Sequence, residues 1–191
     1  MSETDSALPR GVSLRNGFAA GTLTFVLGYL VTYVWQSGTI RDSLQGYNAV
    51  IEFFGGDPIP AWQAVGWLFY NAHFVAVTYP TFGGGSVSMN LIADGNAPTL
   101  LYVVPPVLLV VAGFALARSA GVRDFDSGAI AGASLVVGYL VFAVLGLVAF
   151  RYTAGGSTMH PEYTVGVLLA GLFYPVVFGG IGGAIGATTA T

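Results

Sequence analysis

The chain has no cysteine, no lysine and little charge of either sign. Without cysteine there is no disulfide, no zinc–thiolate site and no thiol nucleophile. Without lysine, all six basic residues are arginines, set against nine acidic residues. No basic patch exists to meet a phosphate backbone, so nucleic acid is not expected as a partner. The shortage of charge decides most. Only 8% of the 191 residues are Asp, Glu, Lys or Arg, where a soluble domain carries about 25%. Such a chain cannot cover a water-facing surface, and a lipid bilayer is the solvent it fits. The mean hydropathy of +0.74 agrees. Catalytic signatures are missing too: there is no G-x-S-x-G, no H-E-x-x-H and no phosphate loop, so neither an enzyme nor a cofactor is expected. What is plentiful points the same way. The 28 glycines and 14% aromatics suit closely packed spanning helices with aromatic anchors at the interfaces.

Taken in order, residues 1–13 are polar and read as a cytoplasmic tail. The first span covers 14–36, with Arg15 at its start and Tyr29, Tyr33 and Trp35 at its far end as an aromatic belt. Residues 37–98 read as a small extracytoplasmic α/β cap. Within it, Ile40, Leu44, Tyr47, Ile51 and Phe54 recur at helical spacing and predict an amphipathic helix over 40–54, ended by Gly55-Gly56-Asp57-Pro58. A second helix is expected over 61–72. A β-hairpin is expected over 74–91, because Gly83-Gly84-Gly85 is a turn signal. After it Ser86, Ser88 and Asn90 alternate with Val87, Met89 and Leu91. Trp62, Trp67, Tyr70 and His73 are the expected surface of this cap. Three more spans follow at 99–117, 127–150 and 163–187, with helix kinks expected at Pro105-Pro106 and at Pro175.

The fold class is therefore an all-α membrane protein: a four-transmembrane-helix bundle with a small cap. The segment 17–31 resembles 128–141, both carrying G-x-x-A-G and then G-Y-L-V. Pro106, Gly113 and Ala115 align with Pro175, Gly182 and Ala184. This reads as a 2+2 parallel repeat; chance likeness between glycine-rich apolar segments is the other explanation. Four spans leave Arg10, Arg15, Arg118 and Arg123 inside and Arg41 and Arg151 outside, which obeys the positive-inside rule. The alternative is five transmembrane helices, with 61–80 as the extra span, and it shows no such bias. The four-span arrangement places a multi-pass protein in the cell membrane with both termini cytoplasmic.

Small residues recur at four-residue spacing in Gly17/Gly21, Gly128/Gly132, Gly179/Gly183 and Gly182/Gly186. Such pairs bring helix backbones together, either within the bundle or, best at 179–186, between copies in an oligomer. His73, His160 and Glu162, with Glu52 or Asp57, share one side of this topology, but no spacing specifies a metal site and none is assigned. An arginine-only composition with pI about 5.0 suits a high-salt cytoplasm. The stretch LQGYNAVIEFFGGDPIPAWQAVGWLFYNAHFV (44–75) and the later LYVVPP (101–106) resemble small haloarchaeal integral membrane proteins of unknown function. Some of these are labelled "transporter". The resemblance implies membrane residence and supplies no catalytic or binding residues. The expected function is that of a non-enzymatic membrane protein whose outer cap binds a partner or envelope component. The alternative is a subunit of an oligomeric transporter or channel. The expected partners are the lipid bilayer, with a second copy or another membrane or envelope protein.

Overall fold

A computed structural model describes residues 11–81, 84–154 and 156–189. Residues 1–10 of the expected tail and the turn residues Phe82 and Gly83 lie outside this description. The chain is mostly helical. Helix α1 (Leu14–Phe53) is followed by α2 (Ala61–Asn71) and by the hairpin β1 (Val77–Thr81) and β2 (Gly85–Met89). A 3-10 turn, Thr99–Val103, runs into α3 (Val104–Ala120), then α4 (Phe125–Ala133) and α5 (Val136–Ala149). A second hairpin follows, β3 (Tyr152–Ala154) and β4 (Ser157–Pro161). The chain closes with one turn α6 (Tyr163–Val165), a π-helical segment Gly166–Phe173 and α7 (Tyr174–Thr188). Four units, Leu14–Phe53, Thr99–Ala120, Phe125–Ala149 and Tyr163–Thr188, are long and apolar enough to cross a membrane. The extra span of the five-span alternative, 61–80, is not among them: α2 has 11 residues, where a spanning helix needs about 20.

The four long units form two parallel pairs. Gly17 and Gly21 of α1 lie against Ser134 and Leu135 just before α5. Gly182 and Gly186 of α7 lie against Val110 and Phe114 of α3. Gly11 rests on Ala120, so the start of α1 and the α3–α4 turn share one end of the bundle. Gly132 and Gly179 approach as closely as any pair, so that a Cβ on Gly132 would collide with the carbonyl of Gly179. Contact between bare backbones supplies the packing there, as small residues allow wherever helices approach this closely. Gly128 meets Gly183 and Ala187, and Gly186 meets Phe114. The 179–186 face, the best candidate for contact between copies, is thus occupied inside the bundle.

The aligned residues of α3 and α7 differ by a constant 69 positions. Gly113 faces Gly179, and its counterpart Gly182 faces Val110, the counterpart of Gly179. That contact obeys the duplication. The remainder does not: Gly17 packs toward α5 while its counterpart Gly128 packs on α7. The sheet order is β2-β1-β4-β3, whereas a symmetric order would join β1 to β3 or β2 to β4.

The expected kinks take a different form. Pro105, Pro106 and Pro175 stand in the first turn of α3 and α7, where a missing N–H costs nothing. The segment before each adopts another hydrogen-bonding pattern, 3-10 in one case and π in the other. In α1, the first span and the amphipathic helix join into one 40-residue helix, ~60 Å long. Ser37 and Gly38 weaken the helix, but no proline follows to stop it. The distal part packs Ile40, Leu44 and Ile51 against a core that includes Val77 and Tyr152 of the sheet. The hairpin expected over 74–91 forms, with Val77 opposite Met89 and Tyr79 opposite Val87. The region 151–162, which reads as a loop, adds the other two strands. At the opposite end Asp124 caps α4 by accepting the Ser127 N–H at 2.8 Å, which holds its carboxyl below the usual range.

The glycine contacts generate a paired prediction. Gly132→Ala should destabilise the bundle by about 1–3 kcal/mol, since backbone must move to admit the methyl. Gly180→Ala should be neutral or slightly stabilising, because its Cβ would meet Ala129 at an ordinary 3.6 Å. Thermal unfolding in detergent measures both, and equal effects would contradict the packing described.

Candidate functional site

Helix α2 lies inside the bundle, between α1 and α5, and runs antiparallel to α5. One stripe of donors fixes it there. The Gln63 side-chain amide donates to the carbonyls of Ala149 and Arg151, at 3.2 and 2.6 Å. The Trp67 indole N–H donates to Phe150 O at 2.6 Å. Tyr70 donates its hydroxyl proton to Ala143 O. Positions 63, 67 and 70 share one helix face, and three of the four carbonyls they meet belong to the last turn of α5 and the two residues after it. A helix end leaves its last carbonyls without intrahelical donors, so α2 serves as the cap of α5. Gly66 makes the approach feasible: a Cβ there would strike the Phe150 ring. On its other side α2 sets Phe69 edge-on to Phe25 of α1, with ring centroids 5.1 Å apart.

The chain then turns back. Asn71, the last residue of α2, is buried, and both its amide nitrogen and its amide oxygen are bonded. Its amide donates to Val75 O at 2.8 Å, and its carbonyl oxygen accepts Leu91 N–H at 3.0 Å. Phe74 holds φ 59°, the left-handed region that glycine normally fills at a helix C-terminus. The Val75 N–H reaches back to Tyr70 O at 3.1 Å, and the Phe74 ring stacks on Tyr102 at 4.2 Å, nearly parallel. That stack offsets part of the backbone strain.

His73 is wholly buried within this turn. Its Nδ1 lies 2.8 Å from Phe69 O and its Nε2 2.7 Å from the Tyr139 hydroxyl of α5. A carbonyl only accepts, so Nδ1 carries the proton and Nε2 accepts from Tyr139. Both nitrogens of a neutral imidazole are then satisfied. Tyr174 of α7 packs on the same ring, with centroids 4.8 Å apart. The cluster has the composition of a proton relay but no unpaired donor or acceptor on His73. Its geometry is that of a lock tying α2 to α5.

The open part of the molecule lies elsewhere. A groove of about 790 Å³ runs between the distal part of α1 and the sheet, lined by Tyr47, Val50, Ile51, Pro80, Tyr152 and Met159 among others. Beside it Tyr47, Phe53 and Phe54 are 70%, 85% and 81% exposed. The Tyr152 hydroxyl donates to Asp57 O and pins the loop that closes one end. Behind this surface, burial pushes the Tyr79 phenol up, keeping it neutral.

Of the residues expected on the cap surface, Trp62 is exposed, whereas Trp67, Tyr70 and His73 are buried. The reason is the placement of α2: polar and aromatic residues that would face water outside the bundle are used inside it. His160 stacks on Tyr163 at 4.3 Å, and Glu162 accepts the Ser88 hydroxyl at 2.5 Å. Among the described residues no three His, Asp or Glu side chains approach closely enough to hold a metal ion. The groove was missed in the sequence because its walls come from separate elements. Its one signal was a run of aromatics, Tyr47, Phe53 and Phe54, on a helix otherwise rich in polar residues.

The chain belongs to the family of unknown function DUF7978, which matches residues 1–190. No curated protein and no solved structure matches it.

The lock generates a stability prediction. Tyr139→Phe leaves His73 Nε2 buried without a donor and should cost about 1–3 kcal/mol. His73→Ala removes the ring and both bonds and should cost about 2–5 kcal/mol. Denaturant or thermal unfolding in detergent measures both, and wild-type stability in the two variants would show that α2 is held by something else.

Proposed function

We propose that this is a non-enzymatic integral protein of the cell membrane whose face beyond the spans binds a partner or envelope component. The observation that carries the reading is the cluster of Tyr47, Val50, Phe53 and Phe54, all exposed, beside the groove. Exposed apolar residues on the spans need no explanation, because lipid covers them. Tyr47 stands twelve residues past Trp35, ~18 Å along the helix axis, beyond the expected aromatic belt. An apolar patch in water at that height marks an interaction site. The arginine distribution supports placing both termini in the cytoplasm and this patch outside.

A second reading, a subunit of an oligomeric transporter or channel, is favoured by α2, a half-helix that enters the bundle and returns. Discontinuous helices of this kind surround substrates in many transporters. Two features weigh against it. The polar side chains of α2 are spent on α5 and on the returning chain, and the glycines of 179–186 face inward.

Two tests bear on this reading, one on the surface and one on its orientation. Serine at Tyr47, Phe53 and Phe54 together should abolish co-purification of the bound component while the variant inserts and melts like wild type; unchanged co-purification counts against the binding surface. For orientation, single cysteines are placed at Ser86 and Ser119 in a chain that has none. In intact cells an impermeant maleimide should label the first and not the second, and the reverse pattern would invert the protein.

A further inference from the structure

The four-stranded sheet ends in β2 on one side and β3 on the other, and the two ends differ. We propose that β2 takes an extended segment of another protein as a fifth strand. The direction of its backbone groups follows from two prolines. In an antiparallel pair, opposed residues alternate between exchanging two hydrogen bonds and exchanging none. A proline cannot donate, so Pro161 opposite Val77 and Pro80 opposite Ser86 mark pairs of the second kind. Glu162 N–H donates to Ala76 O at 2.9 Å, which agrees in phase. Ala76, Thr78 and Pro80 therefore turn their backbone groups toward β4, and Val77, Tyr79 and Thr81 turn theirs toward β2. Opposite the latter three, Met89, Val87 and Gly85 answer β1. Ser86 and Ser88 turn their N–H and C=O groups outward. Both residues are exposed, and among the described residues no further backbone group bonds to theirs.

Exposed edges are ordinarily guarded by charge, proline or a bulge. β2 reads Gly-Ser-Val-Ser-Met and has none of these, with a one-to-one register against β1 along its length. Two N–H and two C=O groups at strand spacing are met together by another extended backbone. The side chains narrow its chemistry. Val87 is 44% exposed and would oppose the added strand at a position without hydrogen bonds, where side chains come closest. An apolar β-branched or aromatic residue fits there. The Ser88 hydroxyl donates to the Glu162 carboxylate at 2.5 Å. The residue opposite Ser88 therefore faces a negative charge, and a Lys or Arg complements it.

A second copy of this chain does not supply the strand. Copies in one membrane stand the same way up, and β2 runs from the exposed Gly84 back toward the buried Ile92. Two β2 strands would then be parallel. Related by a twofold axis they stand level, which sets N–H against N–H and C=O against C=O. β3 runs in the required sense but has three residues. The same phase, carried across β4, turns only Thr153 of β3 outward. Next along that edge, Arg151 O already accepts the Gln63 amide at 2.6 Å. The β2 edge is also a different surface from the aromatic patch on α1, so either assignment can fail without the other.

The probe is a synthetic peptide with Lys-Val-Thr at its centre. In antiparallel pairing it sets Lys opposite Ser88, Val opposite Val87 and Thr opposite Ser86. Amide hydrogen exchange is followed residue by residue in full-length protein, in nanodiscs holding one copy. Without peptide, Ser86 and Ser88 should exchange fast and Val87 and Met89 slowly. Millimolar peptide should slow Ser86 and Ser88 by about tenfold or more and leave Val87 and Met89 unchanged. N-methylation of the peptide's Lys and Thr amides, which face β2, should abolish the effect; N-methylation of its Val, which faces away, should preserve it. Ser88→Pro removes only an outward N–H, so it should melt like wild type and lose the protection at Ser86. Val87→Pro removes a bond to β1 and should lower the melting temperature. Slow exchange at Ser86 and Ser88 in the free protein overturns the proposal, because the edge is then already covered. So does an edge that millimolar peptide leaves unprotected, or protection that survives methylation at Lys and Thr. A melting temperature lowered as much by Ser88→Pro as by Val87→Pro puts the wrong residues outward and overturns it too.

Discussion

The carbonyl groups at the end of α5 set the conditions for much of this structure. A helix that ends beside a dry bundle leaves its last carbonyls exposed to hydrocarbon or buried without donors, and either costs more than a fold of marginal stability can carry. Here the donors come from Gln63 and Trp67 of α2. Supplying them requires α2 to enter the bundle, and entering requires the chain to turn round inside. That turn has its own polar groups to satisfy, which is the role of Asn71, Asn90 and His73. The chain then climbs back as β1, whose neighbour β4 leads into the last helix, with Glu162 N–H donating to Ala76 O at 2.9 Å. The sheet is thus tied to the bundle through the same segment that caps α5. It stands against α1 because that helix does not stop where its span does.

This arrangement separates two jobs that lie side by side in the sequence. The polar and aromatic residues between 63 and 73 look like the chemistry of a site, since they include the buried histidine and the asparagine beside it. Their hydrogen bonds run to backbone carbonyls and to Tyr139, which is the pattern of a structural clamp. Removing water from such a cluster strengthens each bond and raises the cost of any that is missing. A clamp built this way specifies one position for α2. The exposed aromatics at 47–54 have the opposite character, with few internal partners and much apolar area.

What was legible in the sequence follows from which signals are local. The four long apolar helices were, because about 20 apolar residues in a row have few other uses. So was the first hairpin, because alternation at 86–91 is a period that helices do not produce. The glycine pairs announced close helix contact, though not which helix each would meet, since that depends on rotations no local pattern records. The continuity of α1 was hidden by Ser37 and Gly38, which weaken a helix without breaking it. The second hairpin was hidden by its brevity, with three residues in β3. The position of α2 had a signal that composition obscured. An apolar segment of 11 residues is short for a span and suits a buried or re-entrant helix, and three of its side chains, Gln63, Trp67 and Tyr70, put their donors on one face.

The groove shows why function was the least legible part. A clamp can be inferred from one helix, because its donors lie at helical spacing. A groove cannot, because it is the space left between α1, the end of β1 and the second hairpin, and none of these carries the pattern alone. What the sequence does contain is the aromatics at 47–54, and only the structure shows that they stand exposed beside an open groove.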